Sequence, residues 1–118
     1  MDEKSKGVLL RCARSYFSVK AWDKAIREYE GLVRDFPDDP FILEPLSISY
    51  LKVGRNQDAK NFLVRAIHAY NAKGHPEKAD KLRPHFDEIL KILGEAPLPT
   101  DTLTAFGGAD ILPASGDK

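Results

Sequence analysis

Six residues near the start of the chain return further on, each at the same distance. Leu9, Cys12, Ala13, Tyr16, Ala25 and Leu32 are answered by Leu43, Leu46, Ser47, Tyr50, Ala59 and Ala66, every pair 34 positions apart. A period of that length points to a unit of two helices copied in tandem, not to one closed globule. One such unit cannot bury its own apolar face, so it stacks on a neighbour and leaves a grooved surface. The expectation is an all-α fold of stacked helical hairpins, about five helices, with an irregular C-terminal tail.

Helical spacing supports this. Val8, Leu9, Cys12, Ala13, Tyr16 and Phe17 form one amphipathic stripe over 5–19, and Ala25, Ile26, Tyr29, Leu32, Val33 and Phe36 form a second. Pro37-Asp38-Asp39-Pro40 ends the second helix and caps the third, which is expected over about 41–53. Within it, Pro45 is expected among the early positions whose N–H has no partner. A fourth helix is expected from Asn56 to about Lys73, closed by Gly74 as Gly54 closes the third.

The junctions share a pattern. Tyr50-x3-Gly54-x4-Ala59 recurs as Tyr70-x3-Gly74-x4-Ala79, and Tyr16-x3-Lys20-x4-Ala25 has the same form with lysine for glycine. An aromatic closes the outgoing helix, a turn residue follows, and alanine lets the returning helix approach. A fifth helix over 76–93 is expected to kink at Pro84. Cys12 occupies an apolar position and is expected to be a packed thiol. Trp22 and Tyr29 are expected to supply the large buried area of the first hairpin.

The division expected is 1–94 as one helical domain, with units 6–39 and 40–73 and a capping helix over 76–93. The segment 95–118 is expected to be a flexible tail. Its prolines and glycines break helices, yet Leu98, Leu103, Phe106, Ile111 and Leu112 are apolar. Two readings of it stay open: a linker, or a docking peptide for a partner or a neighbouring copy.

The chain has 118 residues, with 18 basic and 18 acidic side chains. No overall field therefore attracts nucleic acid or a membrane surface. After Gly94 four acids face one lysine, so the tail carries −3 and the body +3. One cysteine excludes an internal disulfide, and no apolar run approaches the roughly 20 residues of a membrane span. No signal peptide is evident, and a cytoplasmic protein is expected.

The residues resemble the tetratricopeptide repeat family. The first unit carries the likeness at Leu9, Cys12, Ala13, Tyr16, Trp22, Ala25, Tyr29, Leu32 and Pro37. The second carries it at Leu43, Leu46, Ser47, Tyr50, Gly54, Ala59, Leu63 and Ala66. The resemblance implies a right-handed α-α superhelix of two repeats and a C-terminal capping helix, holding an extended peptide or a partner helix on a concave face lined by the first helix of each pair. That lining would be Leu10, Arg11, Arg14 and Phe17, then Phe41, Ile48, Leu51 and Lys52, with Leu82 and His85 from the capping helix. Ser18, Glu44 and Lys78 would join them. In chaperone-binding members a lysine and asparagines grip a terminal carboxylate; Leu10, Arg14 and Pro45 stand in those places here.

The function expected is thus a non-enzymatic adaptor for another protein or peptide. The alternatives are a homo-oligomerising module, including a dimer of this chain, or a co-chaperone-like binder of secreted or client proteins. Arg11 and Arg14 suit a carboxylate-bearing ligand, since a guanidinium offers two parallel hydrogen bonds. No cofactor, catalytic set, nucleic-acid surface or membrane partner is expected. His68, His75 and His85 match no zinc spacing, Asp38 and Asp39 are better read as caps, and no phosphate loop or nucleophile elbow occurs.

Overall fold

A computed structural model describes residues 2–95, and over them the protein is all-α. The elements are α1 (Glu3–Ser18), α2 (Trp22–Asp35), α3 (Pro40–Lys52), α4 (Asn56–Ala72), α5 (Pro76–Lys81) and α6 (Arg83–Leu93). The expected tail, apart from Glu95, lies outside the described residues.

Helix starts follow from the caps. Asp2 holds extended backbone and its carboxylate accepts from the Ser5 N–H at 2.7 Å. That bond satisfies a donor the helix leaves open and holds the Asp2 carboxyl below its usual range. Asp39 does the same for α3, accepting from the Phe41 N–H at 2.9 Å, while Pro40 takes the first helical position.

Helix ends obey one geometry four times. The Ala21 N–H donates to the Tyr16 carbonyl, Arg55 to Tyr50, His75 to Tyr70 and Glu95 to Leu90, at 2.7–2.9 Å. Inside each lies a second bond, from Lys20, Gly54, Gly74 and Gly94 to the carbonyl three residues back. This paired closure requires a left-handed residue, and φ is +63°, +85°, +82° and +77° at those four positions. Lys20 alone bears a side chain there. The alanines that follow are nearly or wholly buried, Ala25 and Ala59 at 0% exposure and Ala79 at 5%.

Each helix packs on its chain neighbours: α1 on α2, α2 on α3, α3 on α4, and α4 on both α5 and α6. The short turns make consecutive helices antiparallel, so α1 and α3 run the same way and touch directly. One continuous core results, built on Tyr29, Leu32, Ile42, Leu43, Leu46, Leu63, Phe86 and Ile89. Ser47 and Ser49 are buried within it but satisfied, their hydroxyls donating to the Glu44 and Pro45 carbonyls at 2.6 and 2.8 Å.

Four expectations are corrected. Cys12 is exposed, not packed, although its counterpart Leu46 is at 0% exposure. α3 has α2 lying on that side, and among the described residues α1 has no helix there. Trp22 is only half-buried, so Tyr29, 1% exposed, supplies the large buried side chain of the first hairpin. Pro45 is interior to α3, because the helix begins at Pro40, and it denies the Phe41 carbonyl its usual donor. The helix expected over 76–93 is two. Its break falls at Leu82, whose N–H turns back to the Ala79 carbonyl at 3.1 Å. Pro84 then sits in the first turn of α6, where a missing N–H costs nothing.

Two stability outcomes follow. Lys20→Gly is expected to raise unfolding free energy by about 1 kcal/mol by relieving the left-handed lysine, and Gly54→Ala to lower it by about as much. Ala25→Leu is expected to cost about 1–3 kcal/mol by overpacking the helix contact, while Arg14→Ala, on the exposed face, leaves stability within about 0.5 kcal/mol. Urea denaturation of the four variants beside the parent checks both.

Candidate protein-binding surface

Arg14, Phe17 and Ser18 on α1 match Ile48, Leu51 and Lys52 on α3, each 34 positions on. Steps of three and four place each trio on one helix face, and the two helices lie side by side. Arg11, Arg14, Lys52 and His85 are exposed; Leu10, Phe17, Ile48 and Leu51 are half-buried. Leu10, Phe17 and Leu51 rest on the core from outside. Phe17 is fixed further by Trp22, ring centroids 5.2 Å apart and edge to face. Leu82 does not belong to this surface. It is 2% exposed, turned inward at the α5–α6 break.

Phe41 is the most prominent member, half exposed at 50% while the adjacent Ile42 and Leu43 are at 0 and 1%. Tyr70 meets its ring edge-on at 6.3 Å between centroids, and the Lys78 ammonium lies 5.4 Å from the ring centre. Beside it opens a cleft of about 550 Å³ lined by Lys6, Phe36, Pro37, Asp38, Asp39 and Lys73. Lys6 spans this cleft, pairing with Asp39 at 2.6 Å and sitting 4.3 Å over the Phe36 ring. Arg65 closes the far side, donating to the Pro37 carbonyl at 2.8 Å.

Two tyrosine–glutamate links tie the helices beneath. Tyr50 of α3 donates its hydroxyl to Glu30 of α2 at 2.5 Å, and Tyr70 of α4 donates to Glu44 of α3 at 2.6 Å. Glu44, placed on the lining by the resemblance, is therefore already engaged. Arg55 covers the Tyr50 ring at 4.4 Å and pairs with Asp58 at 2.9 Å. Burial, then the carboxylate partner, pushes the Tyr50 and Tyr70 hydroxyls well above the usual phenol range. Burial alone pushes Tyr29 up to about 12, against an opposing pull from Arg14.

The sequence marks these tyrosines by their spacing, but nothing in it marks Glu30 or Glu44 as their acceptors. The Lys6–Asp39–Phe36 cluster was equally hidden, since it joins residues from three elements. Among the described residues no group of three His, Cys, Asp or Glu side chains could hold a metal, and no helix is long and apolar enough to cross a membrane.

No family model matches the chain. A curated relative, a UPF0162 protein of Xylella fastidiosa (strain 9a5c), is 28% identical over 86 residues, covering 70% of this chain. The chain spans only 30% of that relative's length. No solved structure matches.

The raised tyrosine values fix an alkaline limit. Folded tyrosines stay neutral at a pH where unfolded ones, near pH 10, ionise. Their stabilising contribution is thus complete below about pH 10 and is lost as pH climbs through the raised folded values, about 12 for Tyr29 and higher for Tyr50 and Tyr70. Denaturation midpoints measured from pH ~9 to ~12 are expected to fall, and Tyr50→Phe is expected to flatten the fall while costing about 1 kcal/mol at neutral pH.

Proposed function

We propose that the protein is a non-catalytic adaptor of tetratricopeptide type, holding a peptide or partner helix across α1 and α3. Phe41 carries this reading. A large aromatic ring kept half in water, yet braced by Tyr70 and Lys78, offers contact area with little entropy left to lose on binding. Flanking it are half-buried Ile48 and Leu51 and exposed Arg14 and Lys52. That mixture favours a segment with an apolar side chain for the Phe41 edge and a carboxylate for the basic residues. His85 and Arg11 would extend the contact, whereas Leu82 would not.

A single cysteine that can form no intramolecular disulfide accords with a cytoplasmic location. The named relative is a longer protein, and its label says nothing about a partner. A homo-oligomer through the same face, and a co-chaperone-like binder of client proteins, remain as alternative occupants of one surface.

Affinity capture with the full chain checks the reading, parent against Phe17→Glu with Ile48→Glu and against Phe41→Glu. A partner held by the parent is expected to lose at least about tenfold in affinity with either variant, at unchanged helicity. Equal retention by all three proteins would sink the assignment. Light scattering across a concentration series separates a self-associating chain from one bound to another protein.

A further inference from the structure

A different edge of α1 carries a seam that α3 keeps dry. Val8 is 48% exposed where its counterpart Ile42 is at 0%, and Cys12 is exposed where Leu46 is at 0%. Ser15 is exposed where Ser49 is at 0%, and Val19, just past the end of α1, stands at 71% against 36% for its counterpart Val53. Steps of four, three and four put these residues on one line along the helix. Tyr16 borders the line and is half-buried; its counterpart Tyr50 is 3% exposed.

The molecule itself shows what covers such a seam. On α3 the cover is α2, an amphipathic helix that also supplies the Glu30 carboxylate for the Tyr50 hydroxyl. Among the described residues no helix lies on the matching side of α1, and the Tyr16 hydroxyl meets no carboxylate. We infer that the Val8–Cys12–Val19 seam is a second docking surface, for an acidic amphipathic helix of another protein that lies on α1 as α2 lies on α3.

Charge favours an acidic visitor. Lys4, four residues before Val8, and Arg11, three after it, border the seam opposite Tyr16, and both are exposed. A second copy fits worse. Pairing α1 with itself about Cys12 sets two Arg11 guanidiniums side by side, a like-charge contact. Apart from Arg11, which borders both, the seam lies on a different side of α1 from the Arg14 stripe, so this inference does not depend on the function proposed above.

The test uses the full chain and a helix-stapled peptide of residues 21–37, the α2 sequence, as the surrogate visitor. Cys12 reports on the seam. Peptide binding is expected to slow its reaction with a disulfide reagent several-fold and to shift the amide resonances of Val8, Cys12 and Ser15. Val8→Glu, at a site exposed in the folded chain, is expected to abolish both effects without loss of helicity. Replacing the peptide's Glu30 with alanine is expected to weaken binding about fivefold, through the lost Tyr16 acceptor, and replacing it with glutamine, a neutral acceptor, to weaken it less. An unprotected Cys12 at millimolar peptide overturns the inference. So do shifts confined to Arg14, Phe41 and Ile48, or a dimer of the chain that Val8→Glu dissolves.

Discussion

α3 is dry on both flanks only because α2 lies along one and α4 along the other. A hairpin of two amphipathic helices covers the faces turned toward each other and leaves the outward ones wet. Everything else in the molecule follows from adding the next helix to cover the last. Ile42, Leu43, Leu46 and Tyr50 are buried because they sit in the middle of that sequence. Val8 and Cys12, chemically comparable, are wet because they sit at its edge.

Stacking of this kind needs every turn to reverse the chain in the same way, and the four left-handed closures provide that. Each satisfies two carbonyls that a helix end would otherwise leave open, and the first three are followed five residues on by a buried alanine that lets the next helix pack closely. Tyrosine stands at three of them and does double duty at two. Tyr16, Tyr50 and Tyr70 each accept the closing backbone bond, and the hydroxyls of the latter two reach an acid on an earlier helix. Turn geometry and inter-helix registry are therefore set by the same residue.

The helices and their order were legible in the sequence, because a 3.6-residue apolar stripe and a proline or glycine stop act locally. Lys20 was legible as a turn residue only through its likeness to Gly54 and Gly74, which shows that the aromatic-to-alanine spacing carries the signal even when glycine is absent. Burial at the ends was not legible. Cys12 and Leu46 hold the same position in matching helices, and only the presence of α2 on one side separates them. The division at Leu82 is not legible, because a proline inside a continuous apolar stripe looks like a break in a helix already under way, whereas Pro84 stands in the first turn of a new one. Of the surface residues expected to face a ligand, the α1 and α3 members keep at least partial exposure, whereas Leu82 is lost to that same break.

Among the described residues the main contacts join helices next in line or next but one, α1 with α3 and α4 with α6 being the latter. Low sequence separation between touching partners removes the slow search that distant pairing demands, so assembly falls in the microsecond-to-millisecond range typical of helical domains. The same openness means that loosening is directional. The outermost helix, held on one flank only, is the first to give its amides up to solvent, while α3 and α4 are the last.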